Sequence, residues 1–332
     1  MVPPTEPTDT PPIAARVPSS AVHRRLFVVG CSRSGTTLVQ RLLAGHPGVH
    51  TFPESGLFLR TLGMRGRHLP WTWIGLTLGK ERRALGRIVE RAYRDLPGDA
   101  PALPRRQYRL RSSVLTGVAT LDRIALASGC RSWLEKTPRH FLHARAIQRL
   151  VPRARVIHVI RDGRDVVASI ADRARRHPDR FPRQHDPRYG IAEWNRAIAV
   201  HARCAGRPGH VFVFYEDLVA HPERELTRLA HECGLDFHPD MLKGADPSSF
   251  VRESETWKDA VAGPIRADRS KFRELFDARH RRRIERALHL RQYGALAESL
   301  RQRFRYVGSN PYPNVSMSGE NAAATSSAVP AE

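Results

Sequence analysis

Cysteine is scarce in this 332-residue chain, and the four present are scattered. Cys31, Cys130, Cys204 and Cys233 form no CxxC pair, which argues against both a zinc site and a disulfide-dense secreted fold. Long apolar runs are missing as well. None approaches the roughly 20 residues that a membrane helix needs. The N-terminal stretch, with Pro3, Pro4, Glu6, Asp9, Pro11 and Pro12, lacks the basic and apolar regions of a signal peptide, so a cytoplasmic protein without a membrane span is expected. Lysine is rare: only Lys80, Lys136, Lys243, Lys258 and Lys271 stand among 55 basic side chains. Arginine therefore carries the formal charge of +22, which suggests anionic partners, although its even spread along the chain is equally what a coding bias produces. The local Arg clusters are short and are not interleaved with aromatics, so no nucleic-acid partner is expected.

What the chain does have is concentrated in residues 26–54. Leu26, Phe27, Val28 and Val29 form a short apolar run without polar alternation, as in a strand buried on both faces of a parallel sheet. Gly30 and Gly35 follow, separated by four residues, and then Thr36 and Thr37. Leu38, Val39, Leu42 and Leu43 recur at helical spacing until Gly45, His46 and Pro47 stop the helix. A strand, a glycine-bounded loop and a helix N-terminus make a cradle of backbone N–H groups for an anion. The nucleotide triphosphatase version places Lys after the second glycine. Here Thr36 occupies that position, and the cation, Arg33, sits inside the loop.

Further strands are predicted at Val49 to Phe52, Ser132 to Glu135, Val156 to Ile160 and Val211 to Phe214, with helices between them. Alternation of this kind implies a parallel sheet covered on both faces. With the phosphate-loop spacing, the expected fold is α/β, a P-loop NTPase-like three-layer structure around a central parallel sheet. Residues 23–308 form the domain, between disordered tails at 1–22 and 309–332 rich in small and polar residues. Residues 57–130 read as a helical insertion, either an acceptor pocket or lid or plain helical packing.

A second constellation is Arg161-Asp162-Gly163-Arg164-Asp165-Val166-Val167-Ala168-Ser169, with Arg173 four residues on. Arg161 ends a strand, and Ser169 and Arg173 share one helical face. Cations at the carboxyl end of a parallel strand suit a second phosphate. The alternative is a surface helix laced with weak Arg–Asp pairs.

The segments GCSRSGTT, HPGVHTFPE, WLEKTP, VIRDGRDVVAS and FYEDLVAHPE, in this order, resemble sulfotransferases that use 3′-phosphoadenosine 5′-phosphosulfate (PAPS), in the bacterial branch related to protein-tyrosine sulfotransferases. The likeness covers about 26–60 and 132–275 and fades over 61–130. It implies that the loop of Arg33, Ser34, Gly35, Thr36 and Thr37 holds the 5′-phosphosulfate. Arg161, Ser169 and Arg173 would take the 3′-phosphate, and Tyr215 would touch the nucleotide. Ser254 and Lys271 match a late nucleotide-binding segment, with Phe272 stacking where the family more often has Trp. Glu54 lies where related enzymes carry a catalytic Glu and is the expected general base. Lys136, with Arg33, would neutralise the leaving oxygen, and Ser254 would add a hydrogen bond. No metal is expected, because no His, Asp or Glu cluster has ligand spacing. His140 is the rival base, or else a helix-start His facing solvent. The acceptor is a hydroxyl or amine on a small molecule, carbohydrate or peptide, and a homodimer is left open. A small-molecule kinase and a non-catalytic polyanion binder are the competing readings.

Overall fold

The computed structural model describes residues 21–63, 74–77, 82–92, 108–251 and 271–308. The residues read as tails lie almost wholly outside these. At the inner edge of the first, Val22 is fully buried in the core.

Among the described residues the centre is a five-stranded parallel sheet: β1 (Arg24–Gly30), β2 (Val49–Phe52), β3 (Ser132–Lys136), β4 (Ala154–Ile160) and β5 (His210–Phe214), in the order β2-β3-β1-β4-β5. All four pairings are parallel. The period-two alternation of side chains splits β1 between two cores. Phe27 and Val29 join Trp133, Val156 and Phe212 on one face, and Leu26 and Val28 join Leu134, Ile157 and Val211 on the other. Helices cover both faces, which gives the three layers of a P-loop NTPase-like fold. The connection from β1 to β2 runs toward one side of the sheet, and that from β3, the neighbour of β1, to β4 runs back toward the other. The carboxyl end of β1 is therefore a topological switch point, where open α/β sheets bind ligands.

The stretch 57–130 contributes the helices Leu57–Leu62, Arg82–Ala92 and Leu110–Ala127. In the last of these Val114, Val118, Leu121 and Ile124 are buried at helical spacing and join the core of Phe27. A Cβ on Gly117 would fall 2.9 Å from Leu57 Cδ1, so these helices pack at close range. The described helices of this stretch thus pack into the core. It is fastened to the sheet through Asp122. That carboxylate accepts from Arg25 Nε (2.9 Å) and Nη2 (2.7 Å) and from Trp133 Nε1 (2.7 Å).

Among the described helices that the sequence expectations do not name is Pro187–Cys204. Asp186 caps it by accepting from the Arg188 N–H, and Pro187 holds its first turn. Its apolar face is carried by Trp194, Ala197 and Ile198, and the small alanine makes the stripe faint in sequence.

Candidate active site

Each strand delivers a predicted residue to the same edge of the sheet. The cradle follows β1, Glu54 lies just past β2, Lys136 ends β3, Arg161 follows β4 and Tyr215 follows β5.

The cradle depends on two close approaches. A Cβ on Gly30 would lie 2.6 Å from the Val159 carbonyl oxygen, so only glycine lets β1 end this near β4. A Cβ on Gly35 would lie 2.3 Å from the Tyr215 ring, and Gly35 also has φ +89°. Ser34, buried, closes the turn by donating its N–H to the Cys31 carbonyl (3.2 Å). Arg33 is held at φ 72°, a conformation that costs a non-glycine residue about 1–3 kcal/mol. The helix Thr36–Leu43 then starts with no side-chain cap. Buried Thr36 and half-buried Thr37 occupy its first turn, where the first backbone N–H groups have no helical acceptor and are available to an anion.

The second cationic group adjoins the first. Arg33 Nε donates to Ser169 Oγ (3.0 Å), and Arg161 Nη1 donates to the Arg33 carbonyl (3.3 Å). The Arg161 guanidinium lies over the Tyr215 ring at 4.3 Å. Ser169 and Arg173 project from the helix Gly163–Arg176, which Asp162 caps. Arg173 sits over Phe181 (4.1 Å) and donates to Gln184 Oε1 (2.5 Å), while its buried Nε has no hydrogen-bond partner among the described residues. Burial, then the like charges of Arg173, Arg161 and Arg176, push the Arg33 guanidinium down to about 10, with Asp172 opposing. It still carries its charge at neutral pH. Arg173 is lowered by burial, and the carboxylate of Glu54 is among the groups that raise it again. The two cationic groups and Glu54 therefore share one electrostatic neighbourhood.

Lys136 Nζ donates to Glu54 Oε1 at 2.5 Å. Lys136 is 2% exposed and Glu54 30%, so of the two it is the carboxylate that reaches solvent. Behind them lies a network that the sequence expectations missed. Glu135, fully buried, accepts from the Ser55 N–H (2.9 Å), Ser55 Oγ (2.8 Å) and Thr137 Oγ1 (2.5 Å), and pairs with His140 Nδ1 (3.1 Å). Burial pushes the Glu135 carboxyl up, but His140 and these hydrogen bonds outweigh it and hold the group below the usual range. The network joins the residue after Glu54 to the residue before Lys136. A carboxylate in an all-buried strand was its visible signal.

His140 departs from both expectations. It is fully buried rather than facing solvent. Its Nε2 accepts from the Phe58 N–H (3.2 Å), which leaves the ring proton on Nδ1 to donate to Glu135. Both of its nitrogens are engaged within the protein.

The late segment is described only in part. Ser254 lies outside the described residues. Lys271 Nζ reaches Asp172 Oδ2 at 3.4 Å, next to Arg173 in sequence. Phe272 is buried edge-on to Phe276, with centroids 5.8 Å apart, so it packs in the core instead of offering a stacking face. Trp194 was also missed. Its Nε1 donates to the Arg161 carbonyl (2.9 Å) and fixes the backbone that carries that cation.

Residues 25–239 match the description "Sulfotransferase family". The chain belongs to the sulfotransferase family. Among curated proteins it is similar to protein-tyrosine sulfotransferase 2 of Gallus gallus, 27% identical over 72% of this chain and 60% of that one. It is also similar to protein-tyrosine sulfotransferase A of Caenorhabditis elegans, 26% identical over 73% and 59%. The chain thus spans about 60% of the length of these relatives. Among solved structures, the sulfotransferase domain of the Synechococcus PCC 7002 olefin synthase aligns with a TM-score of 0.53 at 24% identity, covering 86% of this chain and 97% of that one. The sulfotransferase domain from the curacin biosynthetic pathway aligns with 0.51 at 17%, covering 73% and 82%. At these identities the likeness establishes the fold. No described helix of this family member is long and apolar enough to cross a membrane.

Proposed function

We propose that this chain transfers the sulfonate of PAPS to an acceptor hydroxyl by in-line displacement and releases adenosine 3′,5′-bisphosphate. The observation that carries the proposal is the meeting, at one sheet edge, of two anion-binding groups with a Glu–Lys pair (Arg33 Nε to Ser169 Oγ 3.0 Å; Lys136 Nζ to Glu54 Oε1 2.5 Å). A ligand with phosphate at both ends satisfies both groups at once. The cradle from Arg33 to Thr37 holds the 5′-phosphosulfate. Arg161, Ser169 and Arg173 hold the 3′-phosphate, with Tyr215 against the nucleotide. Ser254 and Lys271 belong to the nucleotide-binding segment.

Glu54 takes the proton of the attacking hydroxyl. Lys136 and Arg33 stand where negative charge grows on the leaving oxygen, and Ser254 adds a hydrogen bond there. The pocket holds the reacting atoms in line, which removes much of the entropic barrier. The names of the relatives make a protein tyrosine the first acceptor to test, ahead of carbohydrate and small-molecule hydroxyls. The test is calorimetry with adenosine 3′,5′-bisphosphate, followed by labelled PAPS with a tyrosine peptide panel. Micromolar or tighter binding is expected. Failure to bind the bisphosphate would remove the donor assignment, and ATP turnover with Mg²⁺ would replace it with a kinase.

A further inference from the structure

A cluster unrelated to the proposed reaction lies between the same sheet and the helix Pro187–Cys204. His158 sits on β4, His201 and Cys204 on the last turn of the helix Pro187–Cys204, and His210 at the start of β5. His158 and Cys204 are fully buried, and His201 and His210 are nearly so. His158 stacks on Phe212, with centroids 4.7 Å apart and planes at 15°. Its Nδ1 lies 2.8 Å from His201 Nδ1, and its Nε2 lies 2.9 Å from His210 Nδ1. Ligand atoms of His158, Cys204 and His210 all fall within 4.8 Å of one another. Hydrogen bonds alone account for the three imidazoles. They do not account for a thiol converging on the same point as two ring nitrogens.

We propose that His158, Cys204 and His210 form a binding site for a d¹⁰ metal ion, zinc(II) or copper(I), with His201 as the supporting partner of His158. In this arrangement His158 Nδ1–H donates to His201 Nδ1, which bares Nε2 toward His210 Nδ1 and the Cys204 sulfur. Such an outer hydrogen bond is the usual means of orienting a ligating imidazole. Imidazole and thiolate together suit both ions. Zinc would complete a tetrahedron with a water, and copper(I) would accept the three protein ligands alone. Bonds of about 2.0–2.3 Å space tetrahedral ligand atoms roughly 3.3–3.7 Å apart, so the 2.9 Å pair opens by a few tenths of an ångström and the widest pair, within 4.8 Å, closes by up to about 1 Å.

Arg145, Arg207 and Arg203 lie within electrostatic reach of Cys204. Metal binding displaces the thiol proton to solvent and forms the metal–sulfur bond with no change of oxidation state. The same arginines oppose added positive charge. Copper(I) with one thiolate gives a neutral site and zinc a singly positive one, so the two ions compete on charge as well as geometry. The ion would tie β4 and β5 to the helix between them.

The test titrates the reduced, chelator-treated full chain with zinc(II), cobalt(II) as the zinc probe, and copper(I). Native mass spectrometry gives stoichiometry, and thermal unfolding gives linkage. One equivalent per chain and a raised Tm are expected from zinc or copper(I), whichever is the ion, and cobalt absorption of a tetrahedral thiolate site identifies the zinc arm. Cys204→Ser and His210→Gln should each weaken binding at least 100-fold, His201→Gln by about 10–100-fold, and Cys130→Ser not at all. Should the ligand variants fail to fold, X-ray absorption of the loaded wild type reads the shell directly as two imidazoles and one sulfur. No stoichiometric uptake of either ion, binding that survives Cys204→Ser, or a shell without sulfur would each overturn the site.

Discussion

Two buried cations stand at opposite ends of neighbouring strands, Arg25 near the start of β1 and Lys136 at the end of β3, and their carboxylate partners differ in one respect. Asp122 is closed in. Its side chain is 7% exposed against 2% for Arg25, and Arg25 Nη1 adds a bond to the Pro152 carbonyl (2.8 Å). Glu54 is open, 30% exposed beside a Lys136 that is 2% exposed. The closed pair fastens a helix to the sheet. The open pair keeps one carboxylate within reach of a second molecule while its partner cation stays dry, where its field is strongest. Under the proposed function, exposure of the acid, not the presence of an ion pair, separates fastening from chemistry.

The largest expected effect breaks the open pair. Glu54→Gln should lower sulfonate transfer by about 10²–10⁴ while adenosine 3′,5′-bisphosphate binding, read by calorimetry, stays within a few-fold. Near-normal transfer would withdraw the base assignment. Asp122→Ala should do the reverse. It strands a buried guanidinium, so denaturant unfolding should show a loss of about 3–5 kcal/mol, with activity per folded molecule retained. If both variants lost activity equally at unchanged stability, the contrast between the two ends would fail.

Glu135→Gln sharpens the comparison at the network behind Glu54. Loss of charge-assisted hydrogen bonds should cost about 1.5–3 kcal/mol of stability and slow transfer less than Glu54→Gln does. The sign of the pH effect follows from a folded-state value held below the usual 4.5. The stabilisation is fully present above about pH 4.5 and is lost as pH falls through the lower folded value. The variant should therefore show a shallower loss of stability on the acid limb than wild type, and identical limbs would contradict the network. The smallest effect belongs to Ser169→Ala, which removes the acceptor of Arg33 Nε. Bisphosphate affinity should weaken by about 0.5–1.5 kcal/mol, roughly 2- to 13-fold, with transfer at saturation nearly unchanged.

Much of this architecture is legible in the linear chain because its signals are local. A four-residue apolar run, two glycines at fixed spacing and the helix after them describe β1 and the cradle without reference to anything distant. The strand ends Glu54, Lys136, Arg161 and Tyr215 are legible for the same reason: each directly follows or ends an apolar run. His140 was misread because its burial depends on Phe58 and Glu135, which approach it only after β3 and the helix Leu57–Leu62 pack together. The helix Pro187–Cys204 is faint in sequence because alanine contributes little to an apolar stripe, although Asp186 and Pro187 mark its start. The cluster of His158, Cys204 and His210 had no motif at all, since its members come from two strands and a helix.

The sequence by itself determined the sheet's strands, the anion cradle and the sulfotransferase resemblance, because hydrophobic period and glycine spacing act over a few residues. Only the tertiary structure decided which ionised side chains are closed fasteners and which face an open edge, because burial is set by what packs on a residue from the rest of the chain.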